Sequence, residues 1–287
     1  MLINGLVIAS YGKRYGVELE DGTELSCVTR GKKTDLACGD RVKVKLTGPN
    51  EGVVEQLEAR SSLLYRSNSF RSKMLAANVS QAVIVLATQP SFYEELLARC
   101  LVAVEAAGIK AVIVLNKCDL GSTGEALGKL QHYAALGYTI QPLSARKNIE
   151  PLKQWLRGET SVLVGQSGMG KSTIINALLP GQQVRTQEVS NVLDSGKHTT
   201  TAAHLYHLDA ESQLIDSPGL QEFGLHHLDA DQLELTFIEF RPYLGKCRFN
   251  NCRHLKEPDC AIQRAVAEGA IQAQRLTYYQ QFLQEIT

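Results

Sequence analysis

Residues 1–60 alternate apolar and polar positions, which is typical of short β-strands with one buried face. In VELEDGTELSCV (17–28) the alternation continues on both sides of Asp21-Gly22, a dipeptide that strongly favours a hairpin. Several short strands in so few residues predict a small closed barrel in residues 1–62. The oligonucleotide-binding (OB) type is expected, although an SH3-like barrel fits the pattern nearly as well.

From about residue 75 the pattern changes to apolar runs that alternate with helical stretches. QAVIVLA (81–87), AVIVLN (111–116) and SVLVG (161–165) are short and almost entirely apolar, as strands buried in a parallel sheet should be. Strands that alternate with helices predict a doubly wound α/β domain, which we place at residues 63–223. The remainder, 224–287, is predicted to be helical around a break that contains clustered cysteines.

Composition is that of an ordinary globular protein with two or three domains. The chain has 287 residues, 44% of them hydrophobic and 21% charged, and its formal net charge is zero. Two segments, 60–74 and 240–256, are nevertheless basic and contain no acidic residue, so they are either solvated loops or surfaces that meet a polyanion.

The cysteines and the hydropathy pattern indicate where the protein works. Seven cysteines, an odd number, argue against a secreted disulfide scaffold. No apolar run approaches the roughly 18 residues that a membrane helix requires. We therefore expect a cytoplasmic protein. We also expect a monomer, on which the sequence itself is silent.

A phosphate-binding loop is predicted at residues 165–172, which read GQSGMGKS and lie between an apolar strand and a helix. In this motif backbone N–H groups and the N-terminus of the helix surround the phosphates. Lys171 should reach the β- and γ-phosphates, and the Ser172 hydroxyl should bind Mg²⁺. The predicted nucleotide contacts of this loop are Gly165, Gln166, Ser167, Gly168, Met169, Gly170, Lys171, Ser172 and Thr173.

A guanine-binding motif, N-K-x-D, follows another apolar strand. The Asp119 carboxylate can accept hydrogen bonds from both N1–H and the exocyclic amine of guanine, whereas adenine offers no such pair of donors. The Lys117 stem is predicted to cover the base, and Asn116 to tie this loop to the phosphate loop. A third loop, Ser144-Ala145, should donate a backbone N–H to the guanine oxygen. The predicted base contacts are Asn116, Lys117, Cys118, Asp119, Ser144 and Ala145.

Two further segments are predicted to sense the γ-phosphate. Asp216-Ser-Pro-Gly219 matches D-x-x-G, in which Asp216 holds Mg²⁺ through water and the Gly219 N–H contacts the γ-phosphate. The segment GKHTTT (196–201) supplies a threonine for Mg²⁺. Thr200 is our choice, with Thr199 as the alternative.

The residue after Gly219 is Leu220, where many GTPases have a glutamine that orients the attacking water. Leucine cannot do this, so either hydrolysis is very slow or another residue supplies the polar group. His198 is the predicted substitute. The catalytic set is therefore expected to be His198, Lys171 and Gly219.

The order of these motifs is reversed, because the guanine motif precedes the phosphate loop. Ligands of α/β sheets bind where the carboxyl ends of strands converge, so a circular permutation leaves the site intact. It also makes the γ-phosphate sensor lead directly into the segment after residue 224, which suggests that loss of the γ-phosphate acts on that segment.

A metal site is predicted where three cysteines and a histidine fall within 14 residues. The spacing is Cys247-x4-Cys252-x-His254-x5-Cys260. Four ligands of this kind are typical of tetrahedral structural zinc. A metal-pinned loop beside the basic residues of 240–256 favours the polyanion interpretation of that segment.

Together these motifs resemble the ribosome small-subunit-dependent GTPase A (RsgA/YjeQ) family over nearly the whole chain. The resemblance implies a multidomain α/β fold with an N-terminal OB-fold barrel, a circularly permuted P-loop GTPase domain and a C-terminal helical zinc-binding domain. It implies GTP hydrolysis stimulated by the small ribosomal subunit, in late maturation of that subunit. His198 corresponds to the family's catalytic histidine, and Cys247, Cys252, His254 and Cys260 to its zinc ligands.

Three alternatives stay open. The first is an RNA-binding module whose nucleotide site only controls when the protein binds RNA, with negligible hydrolysis. Leu220 favours this alternative. The second is a divergent paralogue with another RNA target, since the sensor reads DSPG rather than DTPG and neither terminus carries a long basic extension. The third is a metabolic GTPase or kinase that does not bind RNA, against which the barrel and the basic segments argue.

Overall fold

The computed structural model describes residues 1–30, 35–68, 71–181, 203–217 and 224–287. Its N-terminal part is a five-stranded barrel of β1 (Ile3–Ser10), β2 (Tyr15–Leu19), β3 (Glu24–Thr29), β4 (Arg41–Gly48) and β5 (Glu51–Leu57). The strand order is β1-β2-β3-β5-β4, with β3 and β5 parallel, and β4 pairs back with β1 to close the barrel. This is the OB arrangement, so that prediction is confirmed and the SH3-like alternative is wrong.

The barrel interior is filled by the apolar positions of the alternating pattern. Val7, Val17, Leu25 and Val44 are all fully or almost fully buried in one small cluster. Since successive side chains of a strand point to opposite faces, the polar residues between them face outward. The alternation in the sequence therefore predicted both the strands and their inward faces.

A hairpin that the sequence analysis did not predict follows the barrel. Its strands are β6 (Leu63–Asn68) and β7 (Arg71–Ala77), paired antiparallel from Leu63 with Ala77 to Asn68 with Arg71. An isolated bridge between Cys38 and Ala76 connects the hairpin to the barrel. The first basic segment therefore lies largely on a β-hairpin rather than on a loop.

The central domain is a sheet with helices, as predicted. Its strands are β8 (Gln81–Ala87), β9 (Lys110–Asn116), β10 (Thr139–Pro142), β11 (Thr160–Val164), β12 (His204–His207) and β13 (Gln213–Asp216). Their order is β10-β9-β8-β11-β13-β12, and all but β12 are parallel. The helices are α1 (Glu94–Ala106), α2 (Thr123–Ala135), α3 (Glu150–Leu156) and α4 (Lys171–Leu178). A pairing of Ala9 with His204 joins the sheet to the barrel.

The C-terminal part is helical, as predicted. It contains α5 (Ala230–Thr236), a 3₁₀ helix (Ile238–Tyr243), α6 (Ala261–Ala267) and α7 (Ala273–Ile286). Phe237, Phe240 and Tyr279 form its aromatic core with ring centroids 5.1–5.4 Å apart. Arg99 of α1 lies 4.4 Å from the ring centroid of Phe282 and pairs with Glu285, so α7 is attached to the central domain through α1.

A buried ion pair joins Arg60, which follows the last strand of the barrel, to Asp40, which directly precedes β4. The Asp40 side chain is fully buried and accepts hydrogen bonds of 2.7 Å from Nε and Nη2 of Arg60 and from the Ala37 N–H. Arg60 Nη1 lies 3.2 Å from the sulfur of Met74 in the hairpin. Both carboxylate oxygens of Asp40 therefore accept hydrogen bonds, as those of a buried charge must.

Among the described residues, no helix combines the length and apolar character needed to cross a lipid bilayer.

We expect Arg60→Met to lower the free energy of unfolding by about 3 kcal/mol, because it leaves the buried Asp40 charge without its partner. The matched control is Arg30→Met, since Arg30 pairs with Glu55 but its side chain is 77% exposed. That variant should leave the free energy of unfolding nearly unchanged. Urea unfolding followed by circular dichroism measures both. Equal effects of the two variants would contradict a stabilising role for the Asp40–Arg60 pair.

Candidate nucleotide-binding site and metal centre

The carboxyl ends of the five parallel strands meet at one edge of the sheet. The guanine motif follows β9, Ser144-Ala145 follows β10, the phosphate loop follows β11, and Asp216 ends β13. Strand β8 lies between β9 and β11 and therefore separates the two main loops. The motifs are distant along the chain but adjacent in space, as the permutation argument requires.

Asn116 connects three of these loops through one buried carboxamide. Its Nδ2 donates to the Met169 carbonyl of the phosphate loop at 3.0 Å, and its Oδ1 accepts from the Ala145 N–H at 3.0 Å. The sequence analysis assigned a backbone N–H of the Ser144-Ala145 loop to the guanine oxygen, and the Ala145 N–H is bonded to Asn116. Gly170 makes this approach possible, because its φ is +96° and a Cβ would lie 2.3 Å from Asn116 Nδ2.

Lys117 spans the guanine motif and the phosphate loop. Its backbone is left-handed, with φ of +60°. Its ammonium donates to the carbonyl of Gln89 at 2.7 Å and to that of Gly168 at 2.5 Å. The aliphatic stem of Lys117 therefore lies across the gap between the guanine motif and the phosphate loop.

Asp119 is exposed at the end of the guanine motif, and its neighbours favour the ionised carboxylate. The neighbouring Ser144 hydroxyl lowers the pKa of the Asp119 carboxyl most, and the charges of Lys147 and Arg146 lower it further. An ionised carboxylate has acceptors only, which suits a base edge that presents two N–H donors. Cys118, between Lys117 and Asp119, bonds through its N–H to the Leu143 carbonyl and so connects the motif to the end of β10.

The phosphate loop requires glycine where it leaves the sheet. Gly165 has φ of +150°, and a Cβ there would lie 2.4 Å from the carbonyl oxygen of Val85. The loop ends at Gly170, and α4 begins at Lys171. Ser172 and Thr173 occupy the first turn of α4, where its free N–H groups point toward the loop.

Lys171 and Asp216 carry opposite charges at this edge, and each influences the pKa of the other. Lys171 is largely buried, and its ammonium donates to the carbonyls of Gly165 at 2.5 Å and Gln166 at 2.9 Å. Burial lowers the pKa of Lys171, and the charge of Asp216 opposes that effect. Burial raises the pKa of Asp216 to about 6, and the charge of Lys171 opposes the rise.

Ser217 is a structural residue of the sensor that the sequence analysis did not assign. It is buried, and its hydroxyl donates to the Leu163 carbonyl of β11 at 2.9 Å. Serine and threonine hydroxyls can both make this bond, so DSPG and DTPG can hold this position in the same way. The predicted residues His198, Thr199, Thr200, Gly219 and Leu220 lie outside the described residues.

The cysteine cluster brings together all four predicted metal ligands. The ligand atoms of Cys247, Cys252, His254 and Cys260 lie within 4.8 Å of one another. His254 Nδ1 is 3.6, 3.5 and 3.1 Å from the sulfurs of Cys247, Cys252 and Cys260. Ligand atoms of tetrahedral zinc are separated by about 3.5–3.8 Å, given Zn–S of about 2.3 Å and Zn–N of about 2.0 Å. The cluster could therefore hold a metal ion.

The other nitrogen of His254 is oriented by α5. His254 Nε2 lies 3.0 Å from Oε1 of Glu234, and the His254 carbonyl accepts from Nε2 of Gln280 at 2.7 Å. A carboxylate on the second nitrogen fixes the tautomer in which Nδ1 faces the thiols. Glu234 lies 20 residues before its partner along the chain, so spacing alone gave no signal for it.

Comparison with known proteins finds relatives that match nearly the whole chain. The family model described as RsgA GTPase matches residues 57–226. The small ribosomal subunit biogenesis GTPase RsgA of Nitrosospira multiformis is 49% identical over 282 residues, which cover 98% of this chain and 90% of that protein. The protein of the same name from Ralstonia pickettii is 51% identical over 291 residues, which cover 98% and 92%.

Two solved structures resemble this chain over its full length. YjeQ from Thermotoga maritima has a TM-score of 0.77 and 29% identity, and the match covers 100% of this chain and 99% of that one. YloQ, described as a circularly permuted GTPase, has a TM-score of 0.72 and 28% identity, with 100% and 95% covered. The resemblance predicted from the motifs is confirmed, and the chain belongs to the RsgA GTPase family.

Proposed function

We propose that the protein binds GTP with Mg²⁺ at the carboxyl edge of its sheet and hydrolyses it to GDP and phosphate during late maturation of the small ribosomal subunit. The observation that carries this proposal is the Asn116 carboxamide, whose 3.0 Å bond to Met169 joins the base-binding and phosphate-binding loops into one site. Relatives about half identical to this chain are named small ribosomal subunit biogenesis GTPases.

The base is read by the loops after β9 and β10. Asp119 accepts from N1–H and the exocyclic amine of guanine, and the Lys117 stem covers the base. Cys118 and the Ser144-Ala145 turn complete the pocket wall, with Ala145 fixed by Asn116. Preference for guanine follows because adenine would leave the Asp119 carboxylate without donors.

The phosphates are bound by the N–H groups of residues 165–173 and by Lys171, which stabilises the charge that develops during transfer. Ser172, Thr200 and, through water, Asp216 would hold Mg²⁺, and the ion would supply neutralising charge to the phosphates. The donor set is suitable, since hydroxyl and carboxylate oxygens are the ligands that Mg²⁺ prefers. A cation beside Asp216 favours its ionised form, against the effect of burial.

Hydrolysis needs a group that orients the attacking water, and we assign this role to His198, with the Gly219 N–H contacting the γ-phosphate. Leu220 carries no polar group for the task. If His198 does not act, the protein is a nucleotide-timed RNA-binding module with negligible turnover, and Leu220 is the observation that favours this second candidate.

The partner we propose is the small ribosomal subunit with its ribosomal RNA. The protein would bind it in the cytoplasm, as a monomer. The three units 1–62, 63–223 and 224–287 would each contribute a surface. The OB barrel is a common nucleic-acid-binding fold, and the two basic segments flank the central domain in sequence. A related RNA target in place of the small subunit would make the protein a divergent paralogue.

We propose zinc as the ion of the cysteine cluster, in a structural role. Three thiolates and one imidazole fill a tetrahedral shell and leave no open position for a substrate. His254 adopts a left-handed backbone with φ of +60°, and its side chain packs against Phe240 and Tyr279. The ion would thus fix the basic loop 246–256 onto the aromatic core.

Purified small subunits should raise GTP turnover at least about tenfold, whereas large subunits and naked RNA should not. His198→Ala should lower the stimulated rate about 100-fold, as expected for loss of a general acid–base or water-orienting group, with GTP affinity within twofold. Phosphate release and equilibrium binding of a fluorescent GTP analogue measure the two quantities. Equal stimulation by large subunits would contradict the proposed partner, and an unchanged rate in the variant would remove His198 from the mechanism.

Asp119→Asn should exchange guanine for xanthine specificity. The amide can donate to the C2 carbonyl of xanthine but no longer accepts from the amine of guanine, so GTP affinity should fall at least about 100-fold while XTP affinity rises. Glu125→Gln on α2 removes a nearby exposed charge and is the matched control. Competition binding with GTP, XTP and ATP gives the result. A wild-type protein that holds ATP as tightly as GTP would refute the site.

Elemental analysis should find one zinc per chain, and Cys252→Ser should lose it. Glu234→Gln should weaken zinc binding about tenfold, because outer-shell partners of histidine ligands typically contribute that much. Glu268→Gln, at the exposed end of α6, is the control. Competition with a chromophoric chelator measures the affinities. Full zinc content in Cys252→Ser would exclude this cluster as the binding site.

A further inference from the structure

Thr88 is a buried residue that no motif assigns, and it lies at the centre of the nucleotide site. It directly follows β8, the strand between the guanine-motif strand and the phosphate-loop strand. Its side chain and backbone are 6% exposed. Its N–H donates to the Asn116 carbonyl at 3.2 Å, and its hydroxyl donates to the Lys117 carbonyl at 2.8 Å.

The carbonyl that Thr88 contacts belongs to a residue in an unfavourable backbone conformation. Lys117 is left-handed, which a lysine adopts only when its surroundings hold it there. Its carbonyl accepts from the Leu120 N–H at 2.9 Å, within the guanine motif's own turn, and from the Thr88 hydroxyl, which comes from outside that turn. Thr88 therefore ties the turn to the rigid central strand.

The same segment also holds the other end of Lys117. The Lys117 ammonium donates to the carbonyl of Gln89, the residue after Thr88, and to the carbonyl of Gly168. Backbone and side chain of Lys117 are thus both fixed to residues 88–89. Asp119 comes two residues later, so its direction depends on the backbone set at Lys117.

We propose that Thr88 is a positioning residue for guanine recognition: its hydroxyl fixes the backbone of Lys117 and thereby aims Lys117 and Asp119 at the base. The inference rests on the proposed nucleotide site. The loss of this bond should increase the mobility of the guanine-binding loop, and with it the rate at which GDP dissociates.

Thr88→Val is the decisive variant, because valine keeps the shape and removes the hydroxyl. The Lys117 carbonyl would retain the Leu120 N–H, so the substitution leaves no orphaned acceptor and should fold. Thr88→Ser keeps the hydroxyl. The matched control is Thr236→Val, which removes a buried hydroxyl bonded to the Leu233 carbonyl in α5, away from the site.

Dissociation of fluorescent GDP should be about fivefold faster in Thr88→Val, the loss expected for one hydrogen bond. Thr88→Ser should stay within twofold of wild type, and Thr236→Val should match wild type. In steady-state assays the Thr88→Val effect should be larger on KM than on kcat. Thermal unfolding of each nucleotide-free protein reports stability independently.

Unchanged GDP dissociation in Thr88→Val would overturn the inference. So would faster dissociation that serine does not restore, or that tracks a matching loss of thermal stability, since both indicate a general packing role. If wild-type protein fails to bind GDP at all, the proposed function itself is wrong and the inference falls with it. If the wild-type protein binds GDP and Thr88→Val does not change GDP dissociation, the inference about Thr88 is wrong but the proposed function stands.

Discussion

The site depends on one buried carboxamide. Asn116 uses its amide nitrogen to hold the phosphate loop at Met169 and its carbonyl oxygen to hold Ala145. Only a side chain with a donor and an acceptor in this geometry can bind both backbones, since aspartate lacks the donor and lysine lacks the acceptor. Gly170 is its complement, because any side chain there would occupy the space of the amide. The guanine motif, the phosphate loop and the Ser144-Ala145 turn are thereby joined at one edge of the sheet.

This arrangement explains why the reversed motif order has no cost for the site. Each loop is placed by the strand it follows, and five parallel strands place their carboxyl ends side by side whatever the order of connection. Strand β8, which directly follows the barrel and hairpin, enters the sheet between the two loops and supplies Thr88 and Gln89 to Lys117. The permutation thus puts the first strand of the domain at the centre of the site.

The sequence was sufficient to predict features that depend on local pattern. It was insufficient to predict residues whose role depends on partners distant along the chain. The barrel, the parallel sheet, the two nucleotide motifs and the cysteine cluster follow from alternation, apolar runs and fixed spacing. The hairpin at 63–77 was missed, because its mixed and basic residues show no regular alternation. Thr88, Glu234 and Ser217 were missed because each acts on a residue that only the folded chain brings near.

If loss of the γ-phosphate acts on the C-terminal part, as the permuted motif order suggests, it would do so through helix α5. This helix follows the predicted γ-phosphate sensor along the chain, begins at a capping box on Asp229, and packs against α1 of the central domain. Its Asp231 pairs with Arg253 at 2.5 Å, and its Glu234 holds His254. A displacement of the chain after Asp216 that moved α5 would therefore act on His254, a predicted metal ligand, and on the basic loop together. In a GTPase with the usual motif order the sensor leads back into the sheet, so this direct connection to a C-terminal domain is a property of the permuted chain.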